Sequence, residues 1–214
     1  MKSLLIYSVI GLALALPNKP LIADFVNGDF ETGDLTGWTI TPTTNGQTLI
    51  QTVVQWDIDF SGPKTSSFVG RFQVGQVTFQ SGVPAGIELT QNLNLLVGVP
   101  YTISFDWSAH RDTTVSSNAQ GGIFELIVNG NVIAFGAAGS TSSTTEKFGT
   151  VVGGYVPSFT GLHTVGVRIS RPFLPAGDVF QSVDNFAISS PIPEPGTGIA
   201  ILVTLAGLMS RRRR

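Results

Sequence analysis

Between Asp24 and Ser190 apolar side chains return at every second position, and roughly every 8–14 residues a cluster of turn formers interrupts them. Tyr101, Ile103, Phe105 and Trp107 alternate with Thr102, Ser104, Asp106 and Ser108. In an extended chain this spacing puts four large apolar side chains on one face. His163, Val165, Val167 and Ile169 alternate in the same way with Thr164, Gly166, Arg168 and Ser170. Asn129-Gly130 joins two apolar runs, and both residues tolerate the positive φ angles of a type I′ turn, so a hairpin is expected there. Further strands are expected over 51–60, 66–75, 86–96 and 182–189, with loops over 139–149 and 170–181. No helical period appears outside the termini. Strands at this spacing with short turns form a sandwich or barrel, and about 165 residues suit one all-β sandwich over 24–190.

Composition narrows the function. Charged residues make up 12% of the 214-residue chain, about half the usual share. Residues 24–190 carry six basic side chains against thirteen acids, which argues against a nucleic-acid partner. With no cysteine there is no disulfide framework, thiolate metal site or thiol nucleophile. Residues 1–23 read as a signal peptide: Lys2, an apolar core from Leu4 to Leu16, then a polar break. Ala13-Leu14-Ala15 and Ala23 offer cleavage sites, and thirteen apolar residues fall short of the ~20 that span a bilayer.

Two further stretches carry resemblances. Val26–Thr39, with Asn27-Gly28-Asp29-Phe30-Glu31 followed by Gly37-Trp38, resembles the opening of bacterial galactose-binding-like jelly rolls, the sandwich of many carbohydrate-binding modules. Ser182–Ser189 resembles the last strand of that family. The resemblance implies glycan association without catalysis, and a structural Ca2+ held by Glu31 and Asp184 with Asp29 as a helper. The last 24 residues, with Pro193-Glu194-Pro195, an apolar run and Arg211, Arg212, Arg213 and Arg214, resemble the PEP-CTERM sorting signal. That resemblance implies an exosortase-type processing enzyme as partner, and delivery to the surface or extracellular polysaccharide of a Gram-negative bacterium. Its order also has a physical logic. Each arginine costs about 2.5–3.5 kcal/mol at a bilayer centre and so stays cytoplasmic, while the prolines end the helix at the outer face. Pro195–Ser210 would make about 24 Å of helix against a core of about 30 Å, enough for a temporary anchor.

Chemistry-bearing residues are few. Ser108, His110 and Asp112 lie at one strand end rather than on converging elements, so His110 is expected to be a solvated loop histidine and not a catalytic base. Asp57 with Asp59, and Glu88 and Glu125, are the available carboxylates for glycosidase chemistry, with nothing to single out a proton donor. Trp38 and Trp107 read as core. Trp56, alternating with Ile58 and Phe60 opposite Asp57 and Asp59, suits either core packing or stacking on a sugar ring. A binding site would then take in Trp56, Asp57, Arg71, Asp106 and His110. A Trp56 exposed in a concave face favours binding, and a buried one decides for a structural or matrix protein.

Overall fold

The computed structural model describes residues 23–63, 67–112, 120–175 and 178–191, all within one compact unit, Ile22–Pro191. The signal segment before Ala23, and the tail with Pro193–Pro195 and Arg211–Arg214, lie outside the described residues. No helix among the described residues is long and apolar enough to cross a membrane.

The unit is all-β, with two antiparallel five-stranded sheets face to face. Sheet A holds β1 (Thr39–Pro42), β4 (Ala85–Leu95), β9 (Gly161–Arg171), β6 (Ile123–Val128) and β7 (Asn131–Ala137), in that order. Sheet B holds β2 (Gly46–Gln55), β3 (Phe68–Gln76), β10 (Val179–Ser189), β5 (Tyr101–Arg111) and β8 (Lys147–Tyr155). The predicted alternation in β5 and β9 sends Ile103, Phe105, Val165, Val167 and Ile169 into the core between the sheets. Asn129 and Gly130 both take positive φ, 51° and 76°, and close the β6–β7 hairpin as their residue types predict.

Trp38 and Trp107 are core residues. Trp38 joins Phe25, Phe30 and Phe186 in an aromatic cluster and donates from Nε1 to the Asn27 carbonyl at 3.0 Å. Trp107 stacks on Phe124 at 4.8 Å. The backbones of β7 and β8 close over it: a Cβ on Gly136 would stand 2.7 Å from the indole nitrogen, and one on Gly149 would stand 3.2 Å from the ring.

Three expectations shift at their edges, the first being the loop over 170–181, which β9 enters as far as Arg171 and β10 from Val179. The loop expected over 139–149 ends early, because β8 begins at Lys147. The strand expected over 51–60 stops at Gln55. Beyond it Phe60 adopts φ 56°, Asp59 Oδ1 accepts from Ser61 N–H at 3.0 Å and Asp57 Oδ2 accepts from Gly62 N–H, so local carboxylate turns replace ladder bonds.

Candidate functional site

The outward residues of sheet B make the site. Strand register sets Arg71 (β3), Ser182 (β10) and Ser108 (β5) side by side, with Thr52 and Phe148 at the ends of the row. One row along, Phe180 faces His110, and in the other direction Asp184 faces Asp106, which faces Thr150. The chain leaving β2 folds back over this face. It is pinched at its base, where Trp56 N–H donates to the Ser67 carbonyl at 2.9 Å and Ser67 Oγ donates to the Trp56 carbonyl at 3.1 Å. The Trp56 indole then lies flat on the His110 ring, 4.3 Å between centroids at 19°, and the Arg71 guanidinium sits 4.3 Å from the indole centroid. Trp56, Ile58 and Val69 form a small apolar cluster separate from the main core.

Beneath that cover several polar atoms are buried without hydrogen bonds: Arg71 Nε and Nη2, Ser108 Oγ and Ser182 Oγ. Both serines are fully buried. An unmet buried polar atom costs about 1–3 kcal/mol, so these four atoms, on three adjacent residues, are an expensive feature of this face. Burial pulls the Arg71 pKa below its ordinary value, with Asp112 partly restoring it. Beside the row opens a pocket of about 210 Å³, walled by Ile58, Asp59, Asp106, Phe148 and Thr150. Phe148 offers its ring to solvent (53% exposed). Asp106 is held in place by Thr150 Oγ1 and by Asn185 Nδ2 at 2.9 Å.

The structure thus brings Trp56, Arg71 and His110 into one stack, with Asp106 on the same face. Asp57 is buried and turned into its own loop. One expectation is corrected. His110 is not a solvated loop residue: β5 runs on to Arg111, so His110 stays paired with Phe180 and is roofed by Trp56, at 2% exposure, with Asp112 Oδ1 3.4 Å from its Nε2. Trp56, by contrast, packs as the core reading expects, at 8% exposure in the cluster with Ile58 and Val69. Phe148, hidden in what reads as a polar loop, is the aromatic the sequence reading missed.

The carboxylates expected to hold Ca2+ do not form a cage. Among the described residues no three His, Asp or Glu side chains converge closely enough to hold a metal. Glu31 Oε1 instead accepts from Phe68 N–H at 3.0 Å, and Asp29 Oδ1 from Glu31 N–H at 3.3 Å. Asp184 is buried, and its pKa is pushed up to about 7, first by burial and then by the negative charges of Glu31, Asp106 and Asp29.

The outer face of sheet A carries a second, wider groove of about 620 Å³, rimmed by Thr43, Asn45 and Gln80. On its floor Arg168 donates to Glu88 at 2.8 and 2.9 Å and to Glu125 at 3.4 Å. Register explains the trio, because Glu88, Arg168 and Glu125 are direct neighbours on β4, β9 and β6. These charges satisfy one another, unlike the row on sheet B.

No protein-family model and no curated protein matches the chain. Solved structures overlap it as β-sandwiches. The carbohydrate-binding module TmCBM61 in complex with β-1,4-galactotriose covers 78% of this chain and 98% of its own length, at 18% identity and a TM-score of 0.45. The CBM22-1 xylan-binding domain from Paenibacillus barcinonensis covers 79% and 95%, at 12% identity and 0.43. A Stig cyclase from Fischerella sp. TAU covers 79% and 97%, at 14% identity and 0.49.

Proposed function

We propose that the chain is an exported, non-catalytic sandwich of the galactose-binding-like jelly-roll kind that holds glycan on the outer face of sheet B. In this reading residues 191–214 deliver it to the cell surface or extracellular polysaccharide, with an exosortase-type enzyme as processing partner. The observation that carries glycan binding is the pocket walled by Asp59, Asp106 and Thr150, which Phe148 opens to solvent, with the polar row Arg71–Ser182–Ser108 buried beside it. Sugar hydroxyls donate and accept, which suits serine hydroxyls, a guanidinium and the Asp106 carboxylate. Sugar C–H faces suit an exposed aromatic ring. The non-catalytic half is supported by where the carboxylates are engaged: Glu88 and Glu125 on Arg168, and Asp57 and Asp59 on the turn amides of Gly62 and Ser61.

A second reading, a structural surface protein without a small-ligand site, is favoured by one observation, the burial of Trp56 against Arg71 and His110. An oligosaccharide array probed with the full chain separates the two, run with and without chelator. Binding is expected, unaffected by chelator, and weakened about tenfold or more in Phe148→Ala, a surface change that leaves the fold intact. A blank array supports the structural reading, and equal binding by the variant removes Phe148 from the site.

A further inference from the structure

Three turns meet at the end of the sandwich where the chain leaves β10. They are β4–β5, β6–β7 and β8–β9, and they are tied to one another. Gly98 N–H donates to the Pro157 carbonyl at 2.9 Å, Val97 N–H to Thr160 Oγ1 at 3.0 Å, and Asn129 N–H to the Thr164 carbonyl at 2.8 Å. His163 is the hub. Its Nδ1 accepts from Asn129 Nδ2 at 3.0 Å and the Tyr155 hydroxyl at 3.1 Å, and its Nε2 donates to the Phe159 carbonyl at 3.1 Å. Around this neutral hub four apolar side chains face outward: Val97, Val156, Phe159 and Leu162, each at least half exposed. Residues 92–104, 126–137, 153–165 and 186–191 contain no Asp, Glu, Lys or Arg.

The last strand ends on this same face. Ser189 pairs with Thr102, one residue from Tyr101, which pairs with Tyr155 at the head of the β8–β9 turn. Six residues link Ser189 to Pro195, where the apolar run begins, a reach of at most about 20 Å. We propose that this end of the sandwich rests on the lipid bilayer while the tail is inserted, with Val97, Val156, Phe159 and Leu162 in the interfacial zone. The proposal rests on reading residues 196–210 as a membrane segment. The short tether keeps the end at high effective concentration beside the surface, so a weak apolar patch suffices. Without charges, the patch neither repels anionic headgroups nor has ions to desolvate.

The chain has no cysteine, so single cysteines carrying an environment-sensitive dye report position in the full chain in phosphatidylethanolamine–phosphatidylglycerol vesicles. Lipids spin-labelled near the headgroup are expected to quench dye at Leu162→Cys and Val97→Cys several-fold more than at Thr41→Cys on sheet A, with Gly198→Cys quenched by deeper labels. A quenched Gly198 site with unquenched Leu162 and Val97 overturns the docking and leaves the tail reading standing. An unquenched Gly198 site overturns the tail reading and the docking with it. Equal quenching at Thr41 means unspecific adsorption and likewise overturns the proposal.

Discussion

The two ends of this sandwich are sealed in opposite ways. At the end built around His163, polar groups are neutral and satisfy one another through side-chain bonds. At the other end the strand tips and connections carry His110, Arg111, Asp112, Glu146, Lys147, Arg171 and Asp178. Arg171 is fully buried there, donating to the Gln120 carbonyl at 2.7 Å and the Val74 carbonyl at 3.4 Å. Burial, with help from the charge of Arg111, pulls its pKa down to about 10. A neutral hub closes a turn cluster at little desolvation cost and leaves the surface free of charge. A buried guanidinium satisfies several carbonyls at once, but its removal leaves them all orphaned.

The contrast is breakable, and the charged end breaks hardest. Arg171→Ala is expected to cost about 3–5 kcal/mol in urea unfolding, because it leaves buried carbonyls unmet and a cavity behind. A loss below about 1 kcal/mol would mean that the guanidinium is not a structural brace. His163→Ala is expected to cost about 2–3 kcal/mol and to raise amide exchange in the β6–β7 and β8–β9 turns, since the ring bonds to both. Exchange confined to the β8–β9 turn would refute the hub.

Asp184, between the two ends, has the smallest expected effect. Its folded pKa of about 7 lies above the ordinary carboxyl value of 3.8, so between those values the folded state holds a proton the unfolded chain has lost. Its contribution to stability is therefore greatest below about pH 4, falls as pH rises towards 7 and then levels off. Asp184→Asn should remove that fall and stabilise the protein above pH 7 by about 1–3 kcal/mol. Parallel urea midpoints for both proteins from pH 4 to 8 would contradict the assignment.

Strands whose two faces differ in polarity were legible in the sequence. β5, β6, β9 and β10 announce themselves by alternation, and the β6–β7 turn by Asn129-Gly130. β8 escaped because Gly149, Gly153 and Gly154 erase its pattern, and the reason for two of them lies on other strands. Gly149 is small to admit Trp107, and Gly153 to admit Leu126 and Ile133. The site was half legible. Trp56, Arg71, Asp106 and His110 could be listed as residues able to meet a ligand. The row Arg71–Ser182–Ser108 could not, because it exists only in the register of three strands that are distant in sequence. The groove trio of sheet A was hidden for the same reason.

The place of β10 has a mechanical consequence. The last strand lies in the middle of sheet B, laddered to β3 on one side and to β5 on the other. A pull applied through the chain beyond Ser189 runs along the strand axis, perpendicular to the hydrogen bonds of both ladders. Those bonds are loaded together in shear, whereas an edge strand peeled from its tip would lose them one after another. A domain held by its C-terminal side against flow or a moving matrix is therefore gripped at its strongest strand.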